Sequence, residues 1–188
     1  NHRYFSFMDD NFTLSKKRTI EITQEIINRG LDIQFDTPNG LSIKTLDKGV
    51  MDNLVKAGLI RICVAIESGS EFIRNKIMKK NLSTKKIYEF SSMIKDYKNL
   101  LVKAFFIVGF PQETKETLNE TWLMINKIKD SLDQVGISYL VPYPGTEIFK
   151  YCRKNSLIKF TNEEICNIDT YSAYNESDYP FFKPSAVN

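Results

Sequence analysis

The 188 residues predict an α/β fold, a parallel sheet of about five βα units that forms either an incomplete barrel or an open sheet. Three observations predict it. Five short apolar runs each end in a polar, acidic or glycine-rich loop; a helix-patterned segment follows each loop; and the fourth run is almost continuously apolar. Strand–loop–helix repetition builds parallel sheets through right-handed crossovers, and the carboxyl ends of the strands then share one rim. A complete eight-unit barrel takes ~250 residues, so five units fall short of closure.

The elements follow in order. Strands are expected at 4–8, 31–36, 60–66, 101–108 and 135–141, each rich in Ile, Val, Phe or Tyr. Ser15 is the expected N-cap of the first helix, whose apolar side is Ile20, Ile22, Ile26 and Ile27 and whose stop is Gly30. The second helix opens after Thr45 or Asp47, buries Val50, Met51, Leu54 and Val55, and ends at Gly58. Ser83 starts the third, with Ile87, Phe90, Ile94 and Tyr97 at helical spacing. Thr114 starts the fourth, with Leu118, Trp122, Ile125, Ile128 and Leu132 on one side, and Thr146 caps a last helix carrying Ile148, Phe149 and Cys152. The run 101–108 reads as a strand covered on both faces. We expect one domain over 1–159 and an irregular C-terminal extension over 160–188, where acidic residues mix with Tyr171, Tyr174, Tyr179, Phe181 and Phe182.

Composition narrows the function classes. A hydrophobic fraction of 42% belongs to a folded chain, and no apolar run approaches the ~20 residues of a membrane span. The net charge of +3 is nearly balanced, and Lys16-Lys17-Arg18, Lys79-Lys80 and Lys85-Lys86 are scattered, which argues against a nucleic-acid interface. Cys63, Cys152 and Cys166 are far apart, with no Cys-x-x-Cys spacing, so neither a disulfide framework nor a metal site is expected and a reducing cytoplasm fits. Cys63, between Ile62 and Val64, reads as a small buried hydrophobe. The one histidine is His2, so histidine acid–base catalysis has no candidate inside the chain. The sequence opens on a strand without an initiator Met, which we read as a piece of a longer protein whose first-strand edge is filled by a preceding segment or by self-association.

The loops concentrate the polar chemistry. Asp9-Asp10-Asn11 offers adjacent carboxylates and a backbone that could receive an amine, and Asx residues also form turns. Glu67 ends an apolar strand, and Ser68-Gly69-Ser70 after it leaves room for a ligand at the backbone. Gly109-Phe110-Pro111-Gln112-Glu113 ends the most apolar strand, with Glu113 at a helix start. Pro142-Tyr143-Pro144-Gly145-Thr146 is a stiff turn into the last helix.

Taken together and in order, these loops resemble the radical S-adenosylmethionine superfamily, in particular the branch often found behind a cobalamin-binding domain. The matching text is Phe7-Met8-Asp9-Asp10-Asn11-Phe12-Thr13, Asn39-Gly40, Ala57-Gly58, Ala65-Ile66-Glu67-Ser68-Gly69-Ser70, 106–114 and 142–146, spanning residues 4 to about 155. The resemblance implies a TIM-like partial (βα)6 barrel of which these strands are the second to sixth. It implies that Asp9, Asp10 and Asn11 meet the methionyl amine of S-adenosylmethionine, largely through backbone. Glu67 with Ser68 takes the ribose or methionyl end, Gly109, Phe110 and Pro111 lie near the adenine, and Leu140, Val141 and Pro142 form the edge that reads it. It further implies a [4Fe-4S] cluster held in the full-length protein by a Cys-x-x-x-Cys-x-x-Cys loop that this sequence lacks, and cobalamin through another domain. Substrate and reaction outcome are not legible. Two other readings stand beside it: a non-redox barrel enzyme with Asp9, Asp10, Glu67 and Glu113 around a divalent cation, and a nucleotide-binding scaffold without catalysis.

Overall fold

Ser15, Asp47, Ser83, Thr114 and Thr146 each accept a hydrogen bond from the backbone N–H three residues on, and a helix starts directly after each. The computed structural model describes residues 2–158; the extension at 160–188 and Cys166 lie outside the described residues. In chain order the elements are β1 (Tyr4–Ser6), α1 (Lys16–Asn28), β2 (Gln34–Leu41), α2 (Lys48–Lys56), β3 (Leu59–Glu67), a π-helical turn (Phe72–Ile77), α3 (Thr84–Ile94), β4 (Leu101–Val108), α4 (Lys115–Ile128), β5 (Gln134–Tyr139) and α5 (Glu147–Lys154). All five strands are parallel in the order β1-β2-β3-β4-β5, so β1 and β5 are the two edges and every interstrand loop of interest leaves from one rim.

The helices lie on one side of this sheet. Phe35, Ile62, Val64, Val102, Ala104 and Phe106 point to them and are buried, in one core with Val50, Met51, Leu54, Ile87 and Phe90. The opposite, concave side carries Tyr4, Asp36, Arg61, Cys63, Lys103 and Phe105. Here β4 departs from expectation. Val102, Ala104 and Phe106 are covered, whereas Leu101 is exposed and Lys103, Phe105 and Ile107 are half-buried, because five strands do not close a barrel over the inner face.

Two further departures have local causes. The segment 37–40, expected as a loop, belongs to β2: the ladder passes from Thr37↔Ile62 to Leu41↔Val64, so the bulge takes up Pro38, which has no N–H for a ladder bond, and Gly40 at φ 91°. Ile22 is exposed and Trp122 is 60% exposed, while Thr19, Thr23 and Thr121 take the buried positions. These threonines satisfy their hydroxyls on carbonyls one turn back, Thr23 on Thr19 O at 2.8 Å and Thr121 on Thr117 O at 3.2 Å. Cys63 is buried on the concave side. Gly58 ends α2 at φ 108°, and a Cβ there would lie 2.1 Å from Ile33 O, so only glycine fits the close approach to β2.

Candidate functional site

At the C-terminal rim the loop after β1 is built by short-range hydrogen bonds. Asp9 Oδ1 accepts from the Asn11 N–H at 3.1 Å and Asp9 Oδ2 pairs with Arg18 Nη2 at 3.0 Å, while Asn11 Oδ1 accepts from the Thr13 hydroxyl at 3.3 Å. Asp10 is exposed. Asn39 in the β2 bulge donates to Met8 O at 2.9 Å and anchors the loop to the sheet.

Glu67 ends β3 with φ 72°, a left-handed backbone that few side chains adopt. Its carboxylate is nearly buried and pairs with Lys80 Nζ at 2.7 Å. The residues after it pack inward. Ser68 Oγ lies 3.2 Å from Thr121 Oγ1 and accepts from the Ser70 N–H, and Gly69 N–H donates to Thr121 Oγ1 at 2.9 Å. A Cβ on Gly69 would sit 2.4 Å from Glu120 O and Thr121 Cα, so this glycine serves close packing on α4, and the Ser-Gly-Ser run is filled by α4 backbone where the sequence suggested open space.

Arg74 holds the same loop from below. It has no exposed surface, and its guanidinium donates to Ser68 O at 2.5 Å, Gly69 O at 3.3 Å, Leu82 O at 2.7 Å and Thr84 Oγ1 at 2.9 Å. Burial lowers its pKa from the ordinary arginine value, and the side chain stays charged. Sequence reasoning missed Arg74 and Lys80, because both lie on or just past a π-helical turn whose periodicity differs from that of an α-helix. The available signal is a lone arginine between Ile73 and Ile77, which are apolar and turned inward.

The loop after β4 is held by the opposite charge. Glu113, 3% exposed, accepts through Oε2 from the N–H groups of Gly109 and Phe110, the latter at 3.0 Å, and its own N–H donates to Phe110 O at 2.9 Å. Burial pushes its carboxyl pKa up, against the lowering effect of the two N–H donors. Gly109 stands at φ 94° and begins the turn, Pro111 is half-buried within it, and Phe110 packs with Ile73, Leu140 and Cys152. After β5, Leu140 N–H donates to Val108 O at 2.8 Å, Val141 is half-buried and Pro142 buried.

The rim therefore joins the loops after β3, β4 and β5 through one small apolar cluster, while the Asp9–Asn11 loop stands two strands, about 10 Å, from Glu67. The four carboxylates of the divalent-cation reading do not converge: Asp9 belongs to Arg18, Glu67 to Lys80 and Glu113 to its own loop. Among the described residues no three His, Cys, Asp or Glu side chains group as metal ligands. No helix among them is long and apolar enough to cross a membrane.

Comparison with known proteins identifies the family and the fold. The family model for the radical SAM superfamily matches residues 1–125. An uncharacterized methyltransferase of Pyrococcus horikoshii is 30% identical over 156 residues, covering 83% of this chain and 33% of its own length. The anaerobic magnesium-protoporphyrin IX monomethyl ester cyclase of Cereibacter sphaeroides is 27% identical over 186 residues, covering 98% of this chain and 28% of its own. Among solved structures, the radical S-adenosylmethionine methyltransferase TsrM from Kitasatospora setae, with cobalamin and a [4Fe-4S] cluster bound, superimposes with TM-score 0.66 at 16% identity over 85% of this chain and 32% of its own, a likeness of fold. The chain spans about a third of the length of these proteins.

Proposed function

This chain belongs to the radical SAM superfamily, and from that premise we propose that its C-terminal rim faces the cofactor in an enzyme that reductively cleaves S-adenosylmethionine. The observation that carries the reading is Glu67. A glutamate at φ 72°, nearly buried at a strand's carboxyl end beside Gly109 at φ 94°, is a backbone arrangement that functional rims retain at a cost in stability. In this reading the backbone of Asp9, Asp10 and Asn11 receives the methionyl amine. Of the pair Glu67 and Ser68, the carboxylate is the ligand for the ribose or methionyl end, since a carboxylate paired with Lys80 keeps further lone pairs for a hydroxyl or amine, whereas the Ser68 hydroxyl is buried against Thr121. Gly109, Phe110 and Pro111 lie against the adenine. Of Leu140, Val141 and Pro142, the Val141 N–H is the donor to the ring edge, because Leu140 N–H binds Val108 O and proline has none.

Cofactor chemistry enters from outside the described residues. When bound, a [4Fe-4S] cluster supplies the electron that splits S-adenosylmethionine into methionine and a 5′-deoxyadenosyl radical. Cys63 sits mid-strand on β3 and Cys152 on α5, in separate surroundings, so they do not form a ligand set for it. Cobalamin, which the TsrM structure holds, would in the same reading be bound by a further domain. The test is Glu67→Gln in the full-length, cluster-loaded protein. Losing a charge-assisted hydrogen bond of about 1.5–3 kcal/mol should weaken S-adenosylmethionine binding roughly tenfold to hundredfold while the melting temperature holds. Unchanged affinity, or unfolding, overturns the assignment.

A further inference from the structure

A cleft of about 390 Å³ opens at the same rim, between the π-helical turn, the loop after β4 and α5. That volume falls in the range of small-molecule sites, roughly 300–1,000 Å³. Its walls are of two kinds. Ile77 and Ile148 are half-buried and apolar, with Tyr151 beside them on α5, and Phe110 is buried at its margin. Lys76, Lys150 and Lys154 supply positive charge. Glu147 neutralises Lys150 at 3.0 Å, whereas Lys76 and Lys154 pair with no carboxylate among the described residues. Two ammonium groups without a carboxylate partner make the mouth of the cleft electropositive, which favours an anion there. Gln112 adds an amide. Its Oε1 is buried at the cleft and has no hydrogen-bond partner among the described residues, and with the amide turned over its N–H groups would donate to an anion there.

We propose that this cleft binds a small organic anion, its carboxylate or phosphate held by Lys76 and Lys154 and its flat apolar body lying against Ile77, Ile148 and Tyr151. The inference rests on the cofactor reading only in making this anion the substrate: Phe110 belongs both to the cleft and to the loop assigned to the adenine, so the occupant lies next to the cofactor.

The experiment uses the full-length protein and three probes of one shape: 2-naphthoate, 2-naphthyl phosphate and neutral 2-naphthamide, titrated by equilibrium dialysis. The anions should bind at least tenfold tighter than the amide, and the stronger of the two identifies carboxylate or phosphate as the group recognised. The double variant Lys76→Gln, Lys154→Gln should abolish that preference and leave naphthamide affinity and melting temperature unchanged; both lysines are exposed, so folding should be unaffected. Equal affinity for anion and amide, an unaltered preference in the double variant, or no saturable anion binding because the chain's own residues fill the cleft would each overturn the proposal. The Glu67→Gln measurement is separate. If S-adenosylmethionine affinity ignores Glu67 while the charge preference stands, the cofactor reading falls and the anion site remains.

Discussion

The loops after β3 and β4 read alike in sequence, each holding a glycine and a glutamate at the end of an apolar strand, yet opposite charges hold them. After β3, the buried Arg74 cation gathers the carbonyl oxygens of Ser68 and Gly69 from below, and α4 closes the other side through Thr121. After β4, the buried Glu113 carboxylate gathers the N–H groups of Gly109 and Phe110. The first loop is thus fixed by Arg74, five or six positions on, together with Thr121 on α4, 52 positions from Gly69, and the second by Glu113 alone, three or four positions on. A glycine at a strand's end can therefore mean tight packing, as at Gly69, or a left-handed turn, as at Gly109. The two loops should respond differently to substitution.

The largest effect is expected at Arg74. Lysine keeps the charge but not the fork, leaving several of Ser68 O, Gly69 O, Leu82 O and Thr84 without a donor, and Arg74→Lys should lower unfolding free energy by about 2–4 kcal/mol in denaturant titration. A change within about 0.5 kcal/mol, the range of ordinary surface substitutions, would remove Arg74 as the organiser of the β3 loop. Next comes Gly69→Ala. Its Cβ would meet α4 backbone at 2.4 Å, which cannot rotate away, so a loss of about 1–3 kcal/mol is expected, together with weaker S-adenosylmethionine binding as Glu67 shifts. Full stability in this variant would show that the loop and α4 are not in close contact.

Glu113 sharpens the comparison through pH. Its native pKa is raised above the ordinary value of 4.5, so the folded state holds this proton more tightly than the unfolded chain. Stability from this group is therefore greatest below about 4.5 and falls as pH rises through the native pKa. Glu113→Gln retains an acceptor for the two N–H groups and removes the titration, so the difference between wild type and variant should shift in the variant's favour with rising pH. Melting temperatures followed from acid to neutral pH measure this, and parallel curves would refute it. The smallest effect belongs to Glu67→Gly. Relief of the left-handed backbone is worth up to about 1–2 kcal/mol, offset by the greater freedom of glycine in the unfolded chain and by the loss of the Lys80 pair. The net gain should stay within about 1 kcal/mol in the same titration. A loss of several kcal/mol would instead make Glu67 a structural residue.

The sequence by itself determined the parallel run of five strands, the single rim, and the helix starts at Ser15, Ser83, Thr114 and Thr146, and narrowed the second helix start to Thr45 or Asp47, of which the structure chose Asp47. Those features depend on residues within a few positions of one another: a cap side chain reaches its N–H three residues on, and an apolar run long enough for a strand declares itself. The tertiary structure alone decided which sides face inward and what holds the rim. Ile22 and Trp122 gave way to Thr19, Thr23 and Thr121 because a threonine whose hydroxyl bonds to the previous turn can be buried against a neighbouring element with its polar group satisfied. β2 runs on through Pro38 and Gly40 because the bulge opposite β3 accommodates residues that, read locally, spell a turn. Of the site residues, Glu67, Gly109 and Pro142 were placed at the rim by pattern alone, and Leu140 by the family resemblance. Arg74, Lys80 and the inward packing of Ser68 and Gly69 were not, since a buried arginine is stable only where carbonyls from residues 68, 69 and 82 converge, and that convergence exists only once the loop after β3, the π-helical turn and the segment leading into α3 have come together, while the packing of Ser68 and Gly69 needs α4 as well.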